Sequence, residues 1–400
     1  MERKPKRPHL REIRNRNKVA VLHILRGRGL VSRPQMAESL GISMMSVSRL
    51  VKELFTDGIC LIDEGKNKKG ALGRRPSFIS LNPSYGWVVA VCLSAFSKAI
   101  SISDITGKKH LETLIPKDVS LTPKDAVQFI KETVEKFLSI QDNTTGKLLG
   151  CSVVVAGKFD VQSGVLLSAP LLNWPDTNLQ TQIENALQCQ VVVDNIANAL
   201  CINHVDTIQM QTSKTPNIML VHVAAGMGAS LFINGQLVRR GGDEGWIGQI
   251  KIPQFKQDFA SRQSLCDVVS GSAIMKELIK RKNFKFDQKA DFATNFRKAV
   301  DEANRGNRSF SEVFRESGKV LGRNLFFLSA GSQPDLVVLA GPARQARPYE
   351  EGVYQGFAEE NDAAGETWTS IEISQCTYTD AAENLALREY FYQPGHLPTV

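Results

Sequence analysis

RPQMAESLGISMMSVSRLVKELFTD, residues 33–57, reads as two short helices joined by a tight turn. Ser32 stands where its hydroxyl can accept an orphan amide of the first helical turn. Met36, Ala37 and Leu40 give that helix an apolar stripe, and Gly41 ends it. Ser43 caps the second helix, in which Val47, Leu50, Val51 and Leu54 recur at the i, i+3, i+4, i+7 spacing of one buried face. Ser43, Met44, Met45, Ser46, Ser48, Arg49 and Lys52 fall outside that face. They are small, polar, basic or unbranched groups suited to base edges and phosphates in a DNA major groove. Any helical hairpin packed on a larger core would show the same periodicity, so the flanking sequence carries the distinction.

Upstream, Val21, Leu22 and Leu25 fall at helical spacing within residues 12–28 and supply a third helix. Downstream, Ile59, Leu61 and Ile62 read as a short strand, residues 78–81 as its partner, and EGKNKKGALGRRP, residues 64–76, as the connection. Lys66, Lys68, Lys69, Arg74 and Arg75 are interleaved there with glycines, as in the wing of a winged helix–turn–helix. Such residues neutralise phosphates beside the groove. Charge follows the same division. Residues 1–86 hold 18 Lys and Arg against 7 Asp and Glu, whereas the rest of the chain holds 31 against 34. A basic surplus confined to one segment is the electrostatic footprint of a nucleic-acid binder.

Four hundred residues call for two or three domains, and the 42% hydrophobic and 22% charged content is ordinary for a globular protein. No apolar run reaches the roughly 18 residues of a membrane span, and the basic N-terminus lacks the apolar core of a secretory signal. The seven cysteines are scattered and never form a CxxC pair. That pattern predicts reduced thiols in a cytoplasm and neither a disulfide framework nor a four-ligand zinc site. The expected organisation is a disordered basic arm over 1–11, a winged helix–turn–helix domain over 12–82, and a body over 87–400.

Within the body, residues 87–104 read as two adjacent strands and residues 123–140 as a helix with Val127, Ile130, Val134, Phe137 and Leu138 on its apolar face. Strands follow at 148–156, 190–193, 217–224, 231–233 and 335–339, and helices at 270–282, 289–304 and 311–330. This alternation predicts an α/β body of parallel or mixed sheets, with room for two lobes but no visible internal repeat.

Five segments in this order resemble the ROK family of repressors and sugar kinases, and specifically its transcriptional regulators. They are LGRRPSFISLNPSYGWVVAV, VLLSAPLLNWPDTNL, VVVDNIANAL, HVAAGMGASLFINGQLVRRGGDEGWIGQI and SGKVLGRNLFFLSAGSQPDLVVLAGP. The resemblance implies an actin-like ATPase fold of two lobes, divided near 195–215, with a C-terminal helix returning to the first lobe. It also implies oligomerisation through the body, as a dimer or tetramer, and control of carbohydrate genes.

The departures from the family pattern are chemical. The kinase phosphate motif DxGGT is replaced by Cys92–Leu93–Ser94–Ala95–Phe96, without its acid, glycines or threonine. Ile196 stands where the catalytic base of DNDAN belongs, and an isoleucine accepts no proton. Trp246 replaces a sugar-contacting glutamate, Gln249 a histidine that serves sugar and zinc, and Cys266 another sugar-contacting glutamate. No catalytic residue, cofactor or metal is therefore expected. Two readings of the inter-lobe pocket stand. In one it is altered for a sugar or sugar derivative, held by Asn173, Asn195, Trp246, Gln249 and Asp267. In the other, Ile196 and Trp246 fill it as core. The expected partner of the N-terminal domain is a palindromic double-stranded DNA operator bound by a dimer. A sugar kinase carrying a DNA-binding head, and a regulator governed by a protein partner, are the alternatives.

Overall fold

The structure is a computed structural model. It describes residues 10–63, 77–115, 122–140, 146–160, 163–169, 172, 174, 176–212, 214–239, 246–252, 263–281, 285–365 and 369–393. Lys66, Lys68, Lys69, Arg74, Arg75 and Asn173 lie outside the described residues.

The chain begins with α1 (Leu10–Arg28), β1 (Val31–Ser32), α2 (Arg33–Leu40), α3 (Met44–Thr56), β2 (Cys60–Asp63) and β3 (Phe78–Leu81). The strands form one antiparallel sheet in the order β1-β3-β2. Gly41, at φ 62°, closes α2 in the left-handed conformation that glycine adopts without steric cost. Val21, Leu22, Met36, Val47, Val51, Leu54 and Ile79 are fully buried and form one core. Ser32 and Gln35 form a capping box at the start of α2, in which the Ser32 amide and hydroxyl both donate to Gln35 Oε1, at 2.9 and 2.8 Å.

The body opens with β4 (Gly86–Leu93), β5 (Lys98–Asp104), β6 (Lys109–Leu114), α4 (Pro123–Ile140), β7 (Lys147–Val155), β8 (Lys158–Asp160), β9 (Val165–Ser168), α5 (Leu179–Leu187) and β10 (Val191–Asn195). Then α6 (Ile196–Thr212) leads to β11 (Ile218–Val223), β12 (Met227–Ile233) and β13 (Gln236–Leu237). Beyond these come α7 (Cys266–Val269), α8 (Gly271–Lys280), α9 (Phe292–Asn304), α10 (Arg308–Ser332), β14 (Leu336–Ala340), α11 (Arg347–Ala364), β15 (Ser370–Ile373) and α12 (Tyr378–Tyr390).

Two five-stranded sheets have the orders β10-β7-β4-β5-β6 and β13-β12-β11-β14-β15. In each, an antiparallel meander of three strands is extended by two parallel strands beside its first strand. The body is thus a topological duplication, although no sequence repeat signals it. β4 and β14 are buried at every residue, which explains why WVVAVCL and LVVLA are continuous apolar runs rather than alternating ones. Leu138 stays half exposed on α4, away from the buried Ile130, Val134 and Phe137.

α10 and α11 approach most closely, because Gly318, Gly322, Gly352 and Gly356 leave no side chain between the backbones. A Cβ on Gly322 would run into the Val353 carbonyl oxygen. The last helix, α12, packs against β4, β5 and β7 of the first sheet. Ser152 Oγ donates to the Ala382 carbonyl at 2.6 Å, and Lys109 Nζ reaches Asp380 Oδ1 at 2.7 Å. Residues of α12 and the segment after it, Leu387, Tyr390, Phe391 and Tyr392, share one hydrophobic cluster with α1, α2 and α3. No helix among the described residues is long and apolar enough to cross a membrane.

Candidate functional site

The α3 helix divides sharply into two faces. Val47, Leu50, Val51 and Leu54 are buried. Ser43, Met44, Met45, Ser46, Ser48, Arg49 and Lys52 are all exposed, Met45 at 83% of its free surface. The Ser43 hydroxyl accepts the Ser46 amide at 3.2 Å and so caps the helix where its N–H groups face outward. Among the described residues Arg49 reaches only Glu53, at 3.6 Å on an open surface, a weak tie that leaves its guanidinium available.

The orientation of α3 is fixed from behind. Lys18 on α1 is buried, and its Nζ lies 3.1 Å from Glu53 Oε2 and 4.0 Å from Asp57 Oδ2. Arg14 bonds the same glutamate. Burial alone would raise the Glu53 carboxyl, but the hydrogen bonds from Arg14 and Lys18 outweigh it and hold the group below the usual range. Glu53 therefore stays an anion that clamps α1 against the inner side of α3.

The second constellation lies where the two sheets meet. Asp194, at the end of β10, is buried and bonded to Arg239, and its Oδ1 accepts from Asn198 Nδ2 and from the Asn195 amide, each at 2.8 Å. Asn198 Oδ1 accepts in turn from Ser230 Oγ of β12 at 2.8 Å. Asn195 Oδ1 accepts the Asn198 amide at 2.8 Å, which makes Asn195 the cap of α6. Its side-chain nitrogen has no partner among the described residues. Ile196 is buried in the core between the sheets. Trp246 opens a turn, Trp246–Gln249, in which Gln249 is exposed; the Trp246 side chain lies outside the described residues. Asp267 is exposed at the start of α7, and Ser264 binds its Oδ2 through the backbone amide (3.0 Å) and the hydroxyl (2.6 Å). Those bonds, the hydroxyl first, hold its carboxyl below the usual range. Asp267 is thereby occupied in part as a helix cap.

The loop between β4 and β5 forms a bridge between the lobes that no sequence pattern marks. Ser94 Oγ accepts the amides of Phe96 (3.2 Å) and Ser97 (2.9 Å), folding the loop into a tight turn. The turn projects Phe96 across to α9 of the other lobe. There its ring lies edge-on to Phe292 at 5.9 Å and to Phe296 at 5.8 Å. Arg297 Nη2 donates to the Phe96 carbonyl at 2.9 Å. The i, i+4 pair Phe292 and Phe296 was visible in the helical pattern at 289–304, but not what it meets.

A second bridge joins β11 to α12: His222 Nε2 lies 2.6 Å from the Tyr378 hydroxyl. Burial pushes the His222 imidazole down to about 4, so it is neutral at physiological pH. Among the described residues no cluster of three or more His, Cys, Asp or Glu side chains is placed to hold a metal ion. Burial pushes the Cys92 thiol up to about 12, which leaves it an inert core group.

A family model described as "ROK family" matches residues 101–374, more than half of the chain. The chain belongs to the ROK family. Among its ROK relatives, the xylose repressor of Caldicellulosiruptor bescii is 22% identical over 340 residues, covering 82% of this chain and 83% of the relative. The DNA-binding transcriptional dual regulator NagC of Escherichia coli is 23% identical over 341 residues, covering 84% and 82%. A crystal structure of a ROK family transcriptional regulator, described as a homolog of the E. coli MLC protein, superposes with a TM-score of 0.71 at 18% identity, covering 96% of this chain and 98% of the other. A ROK family glucokinase from Streptomyces griseus, in complex with glucose and AMPPNP, gives a TM-score of 0.59 at 18% identity, covering 75% of this chain and 98% of its own. The ROK body is thus the two-lobed actin-like fold, with an N-terminal helix–turn–helix head added to it.

Proposed function

We propose that this ROK chain is a DNA-binding transcriptional repressor of carbohydrate uptake or catabolism genes and not an enzyme. It binds a palindromic operator as a dimer, through Ser43, Met44, Met45, Ser46, Ser48, Arg49 and Lys52 in the major groove. Lys66, Lys68, Lys69, Arg74 and Arg75 hold phosphates beside it. The observation that carries this reading is the uncommitted outer face of α3, backed by the Lys18–Glu53 clamp. The named relatives supply the carbohydrate context.

A small sugar-like effector occupies a modified inter-lobe pocket that uses Asn173, Asn195, Trp246, Gln249 and Asp267. The side-chain nitrogen of Asn195, without a partner among the described residues, and the exposed Gln249 support this reading. Effector binding changes operator affinity by preferring one of two body conformations. Phosphoryl transfer is disfavoured: a buried isoleucine, Ile196, stands at the family's base position, and Phe96 is packed onto α9 where a phosphate loop would stay open.

Electrophoretic mobility shift with the upstream regions of the gene's own operon and its neighbours tests the output. Sequence-selective, salt-dependent retardation is expected, and its absence at every region would sink the reading. A thermal-shift panel of sugars tests the input, because a ligand of the folded state raises the melting temperature.

A further inference from the structure

A cavity of about 560 Å³ lies between the head and the body. One wall comes from α1 and α2, including Arg16 and His23, and the other from α6 and its following loop and from α12 and its following segment, including Gln209, Thr215, Arg388 and Tyr392. The volume is within the range of small-molecule sites. It is wholly separate from the inter-lobe residues discussed above.

The lining is chemically one-sided. Its described lining residues include two guanidiniums and an imidazole and no carboxylate. Arg16 is exposed and makes no ion pair or hydrogen bond among the described residues. Arg388 is held from behind by buried Asp206, which also accepts from Asn384 Nδ2 at 2.7 Å. That anchorage fixes the guanidinium before any ligand arrives. His23 stacks on Tyr392, with ring centroids 4.9 Å apart, and its buried Nδ1 has no hydrogen-bond partner. Gln209 and Thr215, joined by a 2.7 Å hydrogen bond, add neutral polar groups suited to hydroxyls. Arg16 brings an uncompensated charge and Arg388, whose charge is balanced by Asp206, brings its remaining fixed N–H donors; arginine is the side chain best shaped for phosphate oxygens.

We propose that this junction is a second ligand site, taking a small phosphate monoester about the size of a hexose phosphate. The phosphate lies between Arg16 and Arg388, and the hydroxylated part lies towards Gln209 and Thr215. Its walls belong to different units, so an occupant ties α1 and α2 to α6 and α12. It thereby biases the head's position on DNA, and operator binding changes the anion's affinity by the same factor. The site does not depend on the inter-lobe effector reading.

Isothermal titration of the full chain with glucose 6-phosphate tests this, with glucose and inorganic phosphate as parallel probes. Glucose 6-phosphate is expected to bind and inorganic phosphate to compete with it. Arg16→Ala should weaken binding about tenfold or more, as loss of a charge-assisted contact does. Gln209→Ala should weaken glucose 6-phosphate but not inorganic phosphate. Arg16 is exposed, so an unchanged melting curve should accompany its loss of binding. Absence of binding by both phosphate probes would overturn the proposal. So would binding that survives both junction substitutions but is lost in Asn195→Ala; that result would place the anion between the lobes and leave the inter-lobe effector reading standing.

Discussion

The outer face of α3 and the meeting point of the two lobes carry similar residue types in opposite states. On α3, Ser46, Ser48, Arg49 and Lys52 are exposed, and among the described residues their one ion pair is the loose contact from Arg49 to Glu53. Between the lobes, Arg239, Asp194, Asn198 and Ser230 form a continuous bonded chain, and Phe96 closes the remaining gap onto α9. Polar groups that satisfy one another hold a structure together, whereas those left open to water await a partner. The contrast supports the proposal that the outward chemistry lies on the head, and it gives the inter-lobe carboxylate a structural task.

The largest expected effects fall on the buried sides of this comparison. Leu54→Ala should destabilise the protein by about 2–5 kcal/mol, because the cavity opens in the core that supports α3. Urea unfolding monitored by circular dichroism would measure it, with DNA affinity falling in parallel. Asp194→Ala should cost about 2–4 kcal/mol by stranding Arg239 and the Asn198 amide, a figure reduced for the part of Arg239 that stays wet. If its stability were unchanged, the inter-lobe network would lose its structural standing. Phe96→Ala should cost about 1–3 kcal/mol, less than a fully buried ring, and should loosen the lobes, seen as faster amide exchange in α9.

Acid should act on the joints before it acts on α3. His23 and His222 are each pushed down to about 4 from 6.5, both mainly by burial. The unfolded chain protonates them below 6.5, while the folded chain resists until near 4. Their contribution to stability is therefore complete above 6.5 and is lost as pH falls through that window. Urea midpoints measured from pH 7 to pH 4.5 should decline, and replacing His222 with Gln should flatten part of that slope. The smallest effect is expected for Met45→Ala: less than about 0.5 kcal/mol in stability, because its side chain is already exposed.

What the sequence disclosed follows the same division. The faces of α3 were legible because one side is apolar at helical spacing and the other is not. β4 and β14 were legible as continuous apolar runs. α6 was not: residues 196–202 are buried on every side, so no periodicity marks a helix there. The duplication of the two sheets was hidden because it lives in strand order and not in residue identity. The joints were hidden for another reason. Phe96 with Phe296, His222 with Tyr378, and His23 with Tyr392 pair residues far apart in the chain, and neither partner's neighbours name the other. The glycine pairs of α10 and α11 stand at four-residue spacing, a sequence signal of close helix approach. For the candidate sites, exposure sorted the outer residues of α3 as a group, while Asp267 acquired a capping task that its sequence position alone did not suggest.

The claim that the open face of α3 is the output of this molecule is tested most directly by selecting binding sites from a random duplex DNA pool. Wild-type protein and Arg49→Ala would be selected side by side at two salt concentrations. The wild type should enrich a two-fold symmetric motif with salt-dependent affinity. Arg49→Ala should fold normally but lose about 1–3 kcal/mol of discrimination at one base position in each half-site. Enrichment of no motif by the wild type, or of an identical motif with identical affinity by Arg49→Ala and Lys52→Ala, would contradict it.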